Sequence, residues 1–260
     1  STRGIGYGLA AALLARGHRV VINGREKTSI QDAMDRLGDS FPRERFTGIA
    51  GDIRHPEQIQ TMWDGAARQF GGVDIWVNNA GVAGHPKMVW EHDAGTAEAI
   101  ISSNVLGAIY GCQVAVRGML EQGGGAVYVM EGMGSDGRTQ EGLTLYGTSK
   151  YALDYFIKAL AEELQGSPVI AAALRPGMVA TEMLTEPYRG RPEEWERVAP
   201  IFNIIADPVE DVTEWMADAL LTNRRNGAVL SRLSRAAIAF RFLAAPFRKR
   251  DLFPDFDPSD

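Results

Sequence analysis

The sequence has one cysteine, Cys112, and only four histidines. A lone thiol forms no disulfide within the chain and no cysteine cluster for zinc, so a stapled scaffold is excluded and a reducing, cytoplasmic compartment is expected. No run approaches the ~18 consecutive apolar residues of a membrane span, and no charged leader precedes a short apolar one, so neither a spanning helix nor a secretory signal is expected. Basic residues are outnumbered, 27 against 33, for a net charge of −6, which argues against general nucleic-acid binding. Acid is missing locally as well. Residues 219–250 carry Arg224, Arg225, Arg232, Arg235, Arg241, Arg248, Lys249 and Arg250 and no Asp or Glu.

What the sequence does have is length and rhythm. Its 260 residues can bury a large core without metals or disulfides. Short β-branched runs at 19–22, 46–49, 73–77, 126–130, 169–174 and 228–230 alternate with helical patterns, such as Ile59, Met62, Trp63, Ala66 and Phe70 after Pro56. That alternation predicts βαβ units around a parallel, doubly wound Rossmann-type sheet, an α/β fold. No linker or repeat interrupts it, so one domain is expected over 1–230, with an extension over 231–260. The opening Ser1-Thr2-Arg3-Gly4-Ile5-Gly6 is a glycine turn running straight into an apolar helix that Gly17 ends. Such a turn ordinarily follows a strand, and the expectation is that the first strand is missing from this chain.

Glycines there let a backbone approach a pyrophosphate, and the helix N-terminus offers unpaired N–H groups and a positive dipole end. A tight packing turn is the alternative. Further along, Tyr146 and Lys150 stand four apart and share a helix face. A phenol beside an ammonium is an acid tuned toward neutrality, although an ordinary exposed pair has the same spacing.

These residues, with Asn78-Asn79-Ala80-Gly81 after the third strand and Arg175-Pro176-Gly177 followed by Thr181, stand in the order found in the short-chain dehydrogenases/reductases, which the chain resembles over residues 1–181. The resemblance implies a nicotinamide cofactor and hydride transfer at a carbonyl or alcohol. It implies that Tyr146 is the general acid, that Lys150 lowers its pKa and bonds the nicotinamide ribose, and that Asn104 steadies a proton-relay water. It implies cofactor contacts from Ser1, Thr2, Arg3, Gly4, Ile5 and Gly6, from Asp52 and Ile53 at the adenine, and from Asn79, Ala80 and Gly81 at the ribose. Pro176, Gly177, Val179 and Thr181 are implied at the nicotinamide. By their residues alone, Asn104 is equally a helix-interior polar residue bonding a carbonyl, and Asp52 part of a helix N-cap region.

The chain departs from the family where a serine pair is expected, which here reads Met130-Glu131. Ser135 is the next hydroxyl and is expected to polarise the substrate carbonyl, unless it caps a turn. Glu131 is expected to sit protonated, to meet a polar group of the substrate, or to cap the loop. The run from Met130 to Gly137, with Tyr-Gly-Thr-Ser-Lys and Arg-Pro-Gly-Met-Val-Ala-Thr, resembles the chlorophyll b reductases of that family, which implies NADPH-dependent reduction of a chlorin formyl group. A steroid-like or retinoid-like aldehyde or ketone is the alternative, and a non-catalytic NADP-binding protein a third. At the second strand, an NAD site needs an acid and a 2′-phosphate an arginine. The sequence reads Val20-Val21-Ile22-Asn23-Gly24-Arg25, so Arg25, helped by Arg3, predicts NADPH.

Residues 181–208 are rich in apolar side chains and are expected to form a substrate lid, with Met183 and Tyr188 at the substrate. Leu230, Leu233, Ala237, Phe240, Ala244 and Phe247 predict an apolar helical stripe in the extension, which would meet a membrane surface, cover the pocket or close a subunit interface. A lipophilic small molecule is the expected partner. The family resemblance implies a homodimer or homotetramer and no metal.

Overall fold

In the computed structural model, which describes residues 1–248 and 250–259, the alternation appears as strands and helices close to the expected limits. Lys249 lies outside the described residues, as does the side chain of Arg235. In chain order come α1 (Gly4–Ala15), β1 (Val20–Gly24), α2 (Lys27–Gly38), β2 (Phe46–Ala50), α3 (Pro56–Phe70), β3 (Ile75–Asn78), α4 (Ala94–Ile101), α5 (Gly107–Gln122), β4 (Gly125–Met130) and α6 (Thr144–Glu163). They are followed by β5 (Val169–Arg175), β6 (Met178–Val179), α7 (Glu182–Thr185), α8 (Pro192–Ile205), β7 (Ala206–Asp207), α9 (Val209–Thr222), β8 (Val229–Ser231) and α10 (Arg235–Ala244).

All pairings are parallel. β3, β4, β5 and β8 form one sheet in that order and β1 with β2 another, and no ladder joins β1 to β3 among the described residues. Central β4 and β5 are buried on both faces, as expected of a covered parallel sheet. On one side Met62, Trp63, Cys112, Met119 and Leu153 from α3, α5 and α6 pack against Val127 and Val129. On the other, Leu9 of α1 and Val212 and Met216 of α9 pack against Tyr128 and Leu174. The local signals hold: Pro56 opens α3 at its first turn, and Gly17, at φ +84°, follows the last turn of α1.

Three details go beyond the sequence reading. Ala94–Gln122 is a helical run long and apolar enough to cross a membrane by composition, but here it is a core element that buries Cys112, Ala115 and Met119. A single π turn, Ser102–Leu106, interrupts it. The short β6–β7 ladder, which no hydrophobic run signals, joins the two ends of the segment between them.

Candidate active site

The carboxyl ends of the strands open into one cavity of about 1780 Å³. At one end lies the glycine turn. Gly4 has φ +53°, a backbone that a side chain would strain. The N-terminus of α1 has no capping side chain and no acid in its first turn, so its amides are available to an anion. Ser1, Thr2, Arg3, Gly4 and Ile5 line the cavity. Gly6 does not: it is buried, where an added Cβ would stand 2.9 Å from both Ser1 and Asn79, and so serves close packing. The turn, its uncapped helix and the continuous trough past Asp52, Ile53, Asn79, Ala80 and Gly81 fit an extended dinucleotide.

The charged residues at this end differ in their pairing. Arg3 pairs with Glu182, at the start of α7. Arg25 lines the cavity, exposed at the end of β1. Asp52 lines the cavity too, but its carboxylate accepts from the Arg54 backbone N–H at 3.0 Å and from the Arg54 guanidinium. That hydrogen bonding holds its pKa down at about 2. The N-cap of α3 is His55, without a side-chain bond, so Asp52 shapes the turn before the helix and does not cap it.

Toward the middle, Asn104 is 1% exposed and does not line the cavity. Its Oδ1 accepts from the Val82 N–H at 2.7 Å, and its Nδ2 donates to the Val82 carbonyl at 2.8 Å and to Ser149 Oγ at 2.9 Å. The π turn aims this amide at the extended segment after β3, the kind of site where such turns recur. It clamps the strand-end loop carrying Gly81.

Tyr146 and Lys150 lie on the first two turns of α6, as the spacing predicts. Lys150 Nζ donates to the Met130 carbonyl at 2.9 Å and stands 5.6 Å from the centre of the Tyr146 ring. Tyr146 OH packs against Gly132, where an added Cβ would be 2.5 Å away. Burial pushes the phenol up to about 12 and the ammonium down to about 8, with the charge of Glu131 opposing the latter. The expected depression of the phenol is therefore absent in this state, because desolvation outweighs the neighbouring charge.

The loop that replaces the serine pair is held by itself. Ser135 lines the cavity but is 1% exposed, and its Oγ donates to the Gly132 carbonyl at 2.8 Å and accepts from the Gly132 N–H at 3.0 Å. The hydroxyl closes the turn and in this state does not reach outward to a carbonyl. Glu131 is a buried ion-pair partner. Its Oε2 meets Arg175 Nε, while Oε1 has no hydrogen-bond partner. Arg175 in turn meets Asp154 at 2.8 Å, and Asp154 meets Lys158 at 2.6 Å. Burial raises the Glu131 pKa and the Arg175 hydrogen bond opposes it. No local pattern signals this pairing, since the partners lie 44 residues apart.

The far end combines apolar side chains with a charged margin of Glu182, Arg191, Glu193, Glu194 and Arg197. Pro176, Gly177, Val179, Thr181, Met183 and Tyr188 line it, and Tyr188, Trp195 and Phe202 form an aromatic cluster with ring centres 5.7 to 6.0 Å apart. Leu233, Ile238 and Phe242 of the extension complete the wall. This corrects the predicted stripe at two positions: Phe240 and Phe247 are 67% and 89% exposed, whereas Leu230 and Leu233 are part-buried as expected, and Ile238 and the partly exposed Phe242 line the cavity in their stead. The register is set by Arg241, which turns in to the Ile205 carbonyl and the Asp207 carboxylate.

The chain is similar to known proteins. The chain is 32% identical over 249 residues to "Chlorophyll(ide) b reductase NOL, chloroplastic" of Oryza sativa subsp. japonica, covering 94% of this chain and 69% of that protein. It is 30% identical over 221 residues to the protein of the same name from Arabidopsis thaliana, covering 83% of this chain and 62% of that one. The chain thus spans about two thirds of the length of these relatives. L-Sorbose reductase from Gluconobacter frateurii, solved with NADPH and L-sorbose, superposes with a TM-score of 0.77 at 22% identity, covering 89% of this chain and 91% of that one, and supports the fold. The family model for short chain dehydrogenase matches residues 1–191, from the glycine turn through Tyr146 and Lys150 into the lid, and the chain belongs to that family of oxidoreductases.

Proposed function

We propose that the chain is an NADPH-dependent carbonyl reductase whose substrate is a large lipophilic aldehyde, the formyl group of chlorophyll(ide) b being the candidate that the relatives' names favour. The observation that carries this reading is the Tyr146–Lys150 pair, placed between a trough suited to a dinucleotide and a chamber walled in part by Met183, Tyr188, Phe202, Leu233, Ile238 and Phe242. A bound reduced nicotinamide supplies the hydride to the carbonyl carbon. Tyr146 gives its proton to the carbonyl oxygen as the alcohol forms. Lys150, fixed on the Met130 carbonyl, stabilises the phenolate left behind and bonds the cofactor ribose. Asn104 acts by positioning: it holds Val82, and through it the Gly81 loop, beside Lys150. Ser135 keeps the Gly132 turn in contact with Tyr146 and polarises the carbonyl only if its hydroxyl leaves Gly132.

Arg25 is assigned the 2′-phosphate, because no acid stands at the end of β1 to hold a ribose hydroxyl. In the same reading, residues 1–230 are one catalytic domain with a lid at 181–208, followed by the 231–260 extension. The protein is a homodimer or homotetramer in a reducing compartment such as the cytoplasm, and the exposed Phe240, Leu243 and Phe247 give the extension its peripheral contact with a membrane.

The test is NADPH oxidation with chlorophyllide b, with the product identified by chromatography. Hydroxymethyl product from the wild type and none from Tyr146→Phe is expected. An inert wild type that still binds NADPH would turn the reading toward a non-catalytic NADP-binding protein.

A further inference from the structure

After β8 the chain folds back across the lid, and three independent sets of contacts hold it there. Asp207 of β7, with its side chain 6% exposed, accepts from Arg232, from Arg241 Nη2 at 2.9 Å and from Arg250 Nη2 at 3.5 Å. Trp195 of α8 takes Phe253 and Phe256 edge-on, with ring centres 5.3 and 4.7 Å away. The Leu252 N–H donates to Asn203 Oδ1, and the Gly190 N–H to the Pro258 carbonyl, each at 2.8 Å.

We propose that this C-terminal arm is the substrate-selecting wall of the cavity, with Leu233, Ile238 and Phe242 as the contact surface for a bulky apolar substrate and Asp207 as the residue that positions it. The inference rests on the reductase reading and deepens it by naming what selects the substrate. The geometry supports it at both levels. Arg232 lies between Ser231 and Leu233, and Arg241 lies between Ile238 and Phe242, and those four neighbours all line the cavity. Two of the three guanidiniums seated on Asp207, those of Arg232 and Arg241, therefore fix an apolar side chain one to three positions away on the cavity side. Three cations converge on one carboxylate, so the grip depends on that carboxylate: without it the guanidiniums repel one another in a partly dry site. A small aldehyde, reaching only Tyr146, gains nothing from a wall formed by α10, whereas a polycyclic one is held along it.

The experiment uses the whole chain with NADPH and two probes, pyrenecarboxaldehyde and benzaldehyde. Phe242→Ala and Asp207→Asn are each expected to lower the pyrene-to-benzaldehyde ratio of kcat/KM by tenfold or more, through KM for the pyrene aldehyde, and Asp207→Glu is expected to restore part of it. An unchanged ratio in Phe242→Ala and Asp207→Asn overturns the proposal. Phe242 is 46% exposed, so its variant keeps the test open should Asp207→Asn fail to fold. Should the wild type reduce neither aldehyde, chlorophyllide b turnover alone decides the reductase reading, and the wall is read by pyrene fluorescence titration. Binding weakened tenfold in Phe242→Ala supports it, and equal affinity, or no binding by the wild type, overturns it.

Discussion

The two ends of the cavity are made of different material. The end holding the glycine turn is built from backbone: uncapped amides of α1, a glycine at positive φ, and strand-end loops clamped by Asn104. The other end is built from side chains contributed by segments far apart in sequence, α8, β7 and the C-terminal arm, meeting in an aromatic cluster and a three-arginine knot. Backbone geometry tolerates few residues at each position, whereas an apolar wall tolerates many. The chemistry is thus fixed locally, and the selection of substrate by assembly.

The most direct way to break that division is Tyr146→Phe. Loss of a general acid is expected to lower kcat by about 1000-fold for every aldehyde, bulky or small. A loss confined to the bulky substrate would show that Tyr146 belongs to the selecting end and not to the chemistry.

The joint between the two ends is the buried pair of Glu131, which follows β4, and Arg175, which precedes the Pro176-Gly177 turn into the lid. Arg175→Ala strands a carboxylate whose side chain is fully buried and is expected to destabilise the fold by about 3 kcal/mol, measured by urea unfolding. Replacing both partners, Glu131→Gln with Arg175→Met, is expected to cost less than the single change, because no unpaired charge is left inside. Equal losses would mean the pair contributes packing only.

How much of this was legible follows the same boundary. The six strands, the turn at Gly17, the proline opening α3 and the Tyr146–Lys150 face were readable, because each rests on residues a few positions apart. Glu131 stood out as an anomaly, but its partner was invisible, since ion pairing across strands leaves no periodic trace. Ser135 is readable as a hydroxyl, but its bonds to Gly132 are not, because the turn that holds it depends on Gly132 and Gly134 adopting one particular loop. In the extension the spacing holds at Leu230, Leu233, Ala237 and Ala244 and departs at Phe240 and Phe247, which are exposed; a charged residue, Arg241, is drawn inward by an aspartate that has no distinguishing context in the sequence.

Lys150 sharpens the comparison through pH. Its folded pKa of about 8 lies below the ordinary 10.5, so between those values the unfolded chain holds a proton that the folded chain has lost. Stability contributed by this group therefore rises with pH across that window. Activity runs the other way: the ammonium is needed at the phenol, so kcat/KM is expected to fall as pH rises through about 8. Lys150→Met is expected to abolish turnover, to raise the melting temperature at pH ~7 by about 2 °C, and to flatten the stability profile. An alkaline limb above pH ~10 would show that Lys150 is not desolvated in the free enzyme.

The smallest expected effect separates two arginines that looked equivalent in the sequence. Arg25 is exposed in the cavity at the end of β1, whereas Arg3 has turned to Glu182 and so links the backbone-built end to the lid. Arg25→Ala is expected to raise KM for NADPH about tenfold, the worth of one charge-assisted hydrogen bond to a phosphate, and to leave KM for NADH within about twofold, since NADH offers no phosphate there. Arg3→Ala is expected to change the two cofactors alike, because an exposed ion pair contributes little and its loss touches the lid more than the 2′-phosphate. The discriminating quantity is the NADPH-to-NADH ratio of kcat/KM in each variant. If Arg3→Ala shifts that ratio as far as Arg25→Ala does, Arg3 leaves Glu182 when the cofactor binds, and the division between the two ends holds only in the free enzyme.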